Sequence, residues 1–421
     1  MQAIASQNAP SPAVVVPHFI FGGLAWLSAA GLIALFPEAF IGHYFNPKLL
    51  ALTHLLALGW ITMVIFGALY QLIPVVMEVK LFSERMATAA FALLGAGAVL
   101  LAMAFWHFQL GHLFTVSIAL IIPAVLLFAA NVMVTGSRSK TASIERDFIL
   151  TSALWLLFTV LAGATLALNL VEAFLKTPHL ELLKLHAHAG LAGWFIQLIM
   201  GVASKLLPMF LVSHELKTRR LQWAYYLLNA GLLLGVISLG VEWRPGALAG
   251  LAGVLGSLGF FLSYLWGAFR TRVKKQLDIG MRQSALAFLL LLLPLAAVLL
   301  YLSPERFTMP LAIAYGSALF LGFITSLIMG QTYKTLPFIV WLKVYRGKVG
   351  KGKTPMPKDL YSERAAHVQF WLFLAGFLAL MAGILLQQTG IITAAGIALF
   401  AATAFYNYNI FKIVWHKPKD P

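Results

Sequence analysis

Apolar runs of membrane-crossing length, separated by short polar connectors, recur from one end of this chain to the other. A hydrocarbon core of about 30 Å takes about 20 helical residues to cross. Stretches of that length fall at roughly 17–36, 47–75, 86–105, 111–135, 147–172, 183–212, 221–241, 246–269, 281–303, 307–340, 366–388 and 390–415. None shows the period-two alternation of a membrane barrel, so the pattern predicts twelve transmembrane helices and an all-α polytopic protein in a single membrane domain. No basic region precedes the first run, so it is read as a retained helix and not as a cleaved signal.

Within this pattern one phrase occurs three times: THLLALGWITMVIFGALYQLIP (53–74), AHAGLAGWFIQLIMGVASKLLP (187–208) and GSALFLGFITSLIMGQTYKTLP (316–337). Aligned on Pro74, Pro208 and Pro337, the copies superpose His54, His188 and Ser317, then Gly59, Gly193 and Gly322, then Trp60, Trp194 and Phe323. The intervals are 134 and 129 residues and each holds four spans. The chain therefore reads as three pseudo-equivalent four-helix units, at roughly 17–135, 147–269 and 281–415, with spans 2, 6 and 10 in matching places.

Charge orients the array. Connectors after the even-numbered spans, with their adjoining helix ends and the C-terminal tail, hold 23 of the 30 Lys and Arg, and those after the odd spans hold five. The positive-inside rule then puts both termini in the cytoplasm. The net charge of +16 belongs with anionic lipid headgroups facing runs such as RTRVKK (270–275) and LKVYRGKVGKGK (342–353), and needs no nucleic acid partner. The string GKVGKGKT (347–354) matches a phosphate-loop pattern, but a membrane helix precedes it and Pro355 and Pro357 follow. The strand before and helix after that phosphate binding requires are missing, so no nucleotide is expected there.

Composition narrows the chemistry. Apolar residues make up 61% of the chain and charged residues 10%, which excludes a soluble globule. There is no cysteine, which removes disulfides, iron-sulfur clusters, covalent haem attachment through CxxCH and thiolate copper centres. Any redox group must rest on histidine or another non-thiol ligand.

Ionisable residues inside hydrocarbon are costly and point to function. His54 and His188 fall under about 10 Å below the outer surface if the spans run inward. His186 and His188, two residues apart, lie about 200° apart around a helix and so face opposite ways. Imidazoles at matching depth suit a six-coordinate haem b, with Gly59, Trp60, Gly193 and Trp194 as its small and aromatic neighbours. His54 with His188 or His186 form the expected ligand set, and the remaining member of the pair is a position for copper or a second haem. His43, His107, His112 and His179 are expected in outer loops or helix ends, and His18, His214, His367 and His416 in cytoplasmic ones. Gln197, Asn169 and Asn229 are expected to bond neighbouring helices, and Lys205 and Lys334 to snorkel to the headgroups.

Twelve spans in three groups of four, with histidines near the outer ends of spans 2 and 6, resemble subunit I of the haem-copper oxidase superfamily, which includes the nitric oxide reductases. The resemblance implies low-spin haem ligation by His54, a cytochrome or quinol electron donor, and a cytoplasmic (inner) membrane of bacterial type. Where that family carries an H-x-H pair on helix 10, this chain has Tyr315-Gly316-Ser317 and places its H-x-H, His186-Ala187-His188, on span 6. No adjacent pair of histidines exists anywhere, so the family's copper-haem centre is not expected. The function expected is that of a b-type haem protein for electron transfer or for a diatomic gas, NO or O2. The alternatives are a rearranged terminal oxidase or nitric oxide reductase, and a haem- or metal-handling transporter without redox turnover.

Overall fold

The computed structural model describes residues 8–140, 142–214, 216–301, 308–348 and 354–418. Most of the phosphate-loop-like string, at 349–353, lies outside the described residues. The described residues are helical, with short connectors and no strand, and they include twelve helices long and apolar enough to cross a membrane. These are α1 (Pro12–Leu35), α2 (Pro47–Val76), α3 (Glu84–Trp106), α4 (His112–Ser137), α5 (Ile144–Glu172), α6 (His179–Leu211), α7 (Thr218–Gly240), α8 (Arg244–Arg270), α9 (Ile279–Leu300), α10 (Met309–Lys348), α11 (Glu363–Leu385) and α12 (Thr389–Val414).

Polar residues at the helix ends set where each begins. Asn46 accepts from the amide of Lys48, Ser143 from Arg146, Asp278 from Met281 and Ser362 from Ala365, each supplying an acceptor to a first-turn donor that has no intrahelical partner. Ala173 and Val212 close α5 and α6 in the left-handed conformation. Pro294 has no amide to offer the Leu290 carbonyl, and the helix is interrupted at Leu291.

Two expected boundaries change. The first helix starts at Pro12 and not at 17, because Ser11 caps the Ala13 amide and Pro12 suits the first turn. His18, expected at a cytoplasmic helix end, is 0% exposed inside α1. The tenth helix continues past Pro337 to Lys348 and reaches 40 residues, or about 60 Å, twice the hydrocarbon thickness.

The chain divides into two compact units. The first comprises Leu72–Ala90 and Ile118–Gln276, together with Asn8 and Ala9. Here α7 and α8 pack backbone to backbone: a Cβ on Gly231 would sit 2.7 Å from the Gly250 carbonyl oxygen. α6 rests on α5 through Gly201, which receives Phe148, and on α8 through the Tyr264 hydroxyl, which donates to the Ser204 carbonyl at 3.0 Å. Asn229 accepts from Trp155 Nε1 on the neighbouring α5 at 3.0 Å, as expected, whereas Asn169 accepts from the Leu175 amide in the connector after its own helix, at 2.8 Å.

The second unit comprises Pro10–Gln71, Phe91–Ser117 and Leu277–Pro421. α1 and α12 meet so closely that a Cβ on Gly396 would lie 2.4 Å from the Ala34 nitrogen. A buried chain of polar groups ties α9, α10, α11 and α12: Gln283 to Ser326, Gln369 to Gln283, Tyr333 to Gln369 and Asn409 to Tyr333. Lys334, expected to snorkel, is paired with Asp278 at the start of α9. Lys205, in the first unit, is exposed.

The three helices that carry the repeat are the most buried. In the window of each that is most apolar, 61% of α2, 72% of α6 and 67% of α10 is buried, against 50% or less for each of the other nine.

Candidate functional site

All three repeat helices change their winding at the same point. The α-helix gives way to eight residues of π-helix, with wider i to i+5 turns, at Leu55–Thr62, Ala189–Ile196 and Ala318–Thr325. The residue just before each stretch is His54, His188 and Ser317. Alignment on the closing prolines superposes the three stretches residue for residue. Such π segments are rare and frequently lie at functional sites.

The two histidines are held alike. His54 Nδ1 lies 2.8 Å from the Leu50 carbonyl oxygen, and His188 Nδ1 lies 2.8 Å from that of Lys184, four residues back in each case. A carbonyl oxygen has no proton to give, so Nδ1 must be the donor, and in a neutral ring Nε2 then carries the lone pair. This is the tautomer that presents Nε2 to a metal while the other ring nitrogen is fixed by a backbone acceptor. His54 is half-buried, and Phe105 stacks on it at 4.8 Å with 25° between the planes. His188 is exposed.

His186 turns to α5. Its Nδ1 is 3.0 Å from the Thr159 carbonyl oxygen, and its Cε1 would be 2.7 Å from a Cβ on Gly163, so the glycine makes the seat for the ring. His54 belongs to the second compact unit, and His186 and His188 to the first.

The glycines and tryptophans expected beside a cofactor are engaged with protein. A Cβ on Gly59 would meet Leu55 at 3.2 Å and Ala25 at 3.4 Å, and one on Gly193 would meet the Trp155 ring at 2.6 Å. Trp60 is fully buried and donates from Nε1 to Thr325 Oγ1 at 3.0 Å, linking the first copy of the repeat to the third. It also stacks on Trp26 at 6.4 Å, while Trp194 meets Phe128 edge-on at 5.8 Å.

Two buried groups depart from what their sequence context implies. Gln197, at the first residue after the π stretch of α6, is 0% exposed, and neither amide atom has a hydrogen-bond partner. His18 donates from Nδ1 to the Val14 carbonyl at 2.9 Å, and its buried Nε2 has no hydrogen-bond partner. Phe105, Gly163 and the Thr159 carbonyl, which seat the histidines, carry no signal in the sequence, since each is an ordinary residue of an apolar helix. Gln197 does carry one, as an amide within a repeat that has Met63 and Ser326 at the matching positions.

An axial haem ligand requires one imidazole presenting Nε2, and His54 and His188 fit that requirement by their Nδ1 bonds. A copper held by several side chains finds less support, because no group of three or more His, Cys, Asp or Glu comes together among the described residues. No protein-family model matches the chain, and no curated protein matches its sequence.

Proposed function

We propose that this multi-pass membrane protein binds haem b through axial imidazoles, His54 being one candidate ligand and His188 another, and serves electron transfer or the handling of a diatomic gas. The observation that carries this reading is the repeated pose: an Nδ1 donated to the carbonyl one turn back, at the mouth of a π stretch, in two copies of one sequence repeat. Iron porphyrin supplies one-electron chemistry when bound. The chain's part is to hold the tautomer and the ring plane: Leu50 and Lys184 accept the Nδ1 protons, and Phe105 lies parallel to His54. The concentration of Lys and Arg after the even-numbered helices supports an orientation with both termini in the cytoplasm of a bacterial-type inner membrane.

The test is purification of the full chain from cells supplied with haem, followed by optical and paramagnetic spectra and quantitation as the pyridine complex. A low-spin b-type spectrum is expected, with most of the associated haem lost in His54→Ala and in His188→Ala. A haem-free wild-type protein, or undiminished haem in both variants, overturns the reading.

A further inference from the structure

At the basic end of the first unit, between the start of α7 and the end of α8, lies a cleft of about 460 Å³. Lys217, Arg220 and Arg270 line it together with Tyr264, Trp266 and Gly267, and no described residue that lines it is acidic. We propose that this cleft binds the phosphodiester headgroup of an anionic phospholipid.

Its construction suits that ligand. Arg220 is fixed by donation from Nη1 to the Ser263 carbonyl at 2.7 Å, which holds its guanidinium in place at one wall. Tyr264 is anchored through its hydroxyl to Ser204, and the Cβ position of Gly267 has nothing within 4 Å, so the floor is open at that residue. Lys217 and Arg270 are exposed, and neither they nor Arg220 forms an ion pair with a carboxylate among the described residues. Three cations that pair with no carboxylate among the described residues create a field that a phosphate neutralises.

Lipid is favoured over free phosphate by what surrounds the cations. Trp266 in the wall is 60% exposed, and Trp223 and Tyr226, one and two turns beyond Arg220 on α7, are 48% and 63% exposed. Exposed tryptophan and tyrosine at a helix end mark the level of the headgroups, where the acyl chains begin. A basic cleft between membrane helices at that level is suited to an anionic headgroup, with its tails against the aromatic surface. This inference is independent of haem.

The test titrates the detergent-purified full chain with phosphatidylglycerol, phosphatidylcholine and inorganic phosphate, reading bound lipid by native mass spectrometry and the shift in thermal unfolding. Phosphatidylglycerol is expected to bind and stabilise, phosphatidylcholine and inorganic phosphate not. Removing one cation at a time with Lys217→Gln and Arg270→Gln should weaken phosphatidylglycerol binding by about fivefold each. Arg219→Gln, at an exposed residue that does not line the cleft, should leave it unchanged. Equal binding of the two lipids, an equal shift with inorganic phosphate alone, or full affinity in both Lys217→Gln and Arg270→Gln overturns the proposal. The comparison of the two lipids on the unaltered chain decides even where a variant does not fold.

Discussion

Gln197 shows how the repeat can be used as its own control. Matching positions in the other copies are held by Met63 and Ser326, each 0% exposed, and Ser326 is satisfied by Gln283. Gln197 buries its amide with neither atom hydrogen-bonded. A buried polar group left without a partner costs about 1–3 kcal/mol. Gln197→Met, which borrows the residue of the first copy, should therefore stabilise the protein by about 1–3 kcal/mol, read as a higher midpoint of thermal unfolding in detergent. An unchanged or lower midpoint would show that a bound group satisfies the amide in solution. His18 has a parallel. A Cβ on Gly67 would lie 2.6 Å from His18 Cβ, and one on Gly201 the same distance from Phe148 Cβ, so imidazole and phenyl occupy corresponding seats. At this scale the sequence singles out His54, His186 and His188, but it puts His18 at an unremarkable helix end and gives Gln197 a partner on a neighbouring helix, and the structure shows neither. The neighbours of the histidines were not legible, because the partners of His54 and His186, Phe105 and Gly163, are distant in sequence and unremarkable in type.

Among elements, α7 and α8 depend on bare backbone. A Cβ on Gly250 would stand 2.7 Å from the Gly231 carbonyl oxygen and 2.8 Å from the Gly235 nitrogen, and neither backbone atom can move without its helix. Gly250→Leu should lower stability by about 2 kcal/mol or more, measured by thermal unfolding in detergent. Gly259→Ala, on the same helix but with nothing within 4 Å of its Cβ position, should change it by less than about 0.5 kcal/mol. Hydropathy located all twelve spans, ten of them to within about four residues at each end, because lipid selects for apolar length, but α10 runs eight residues past the expected 340. Hydropathy was blind to hydrogen-bond register, so the break before Pro294 and the π stretches were not visible in it. It also placed the first helix late, since the Ser11-Pro12 start signal is polar and lies upstream of the apolar run.

Across the whole molecule, the mean hydropathies of α2, α6 and α10, 2.1, 1.6 and 2.0, fall within the range of the other spans, so hydropathy alone does not mark them as the buried ones. The repeated phrase sets the three apart in the sequence. Orientation rests on the charge asymmetry and can be checked directly, because the chain has no cysteine to interfere. Gln109→Cys, exposed between α3 and α4, should react with an impermeant maleimide on intact cells. Lys140→Cys, exposed between α4 and α5, should react only after permeabilisation, and the reverse pattern would invert the topology. The wide turn after position 317 persists although serine stands where the other copies have histidine. Helix contacts and not the imidazole therefore maintain the distortion. Trimming either ring back to alanine should leave the scaffold intact, so loss of haem in those variants would test the proposed coordination and not report collapse.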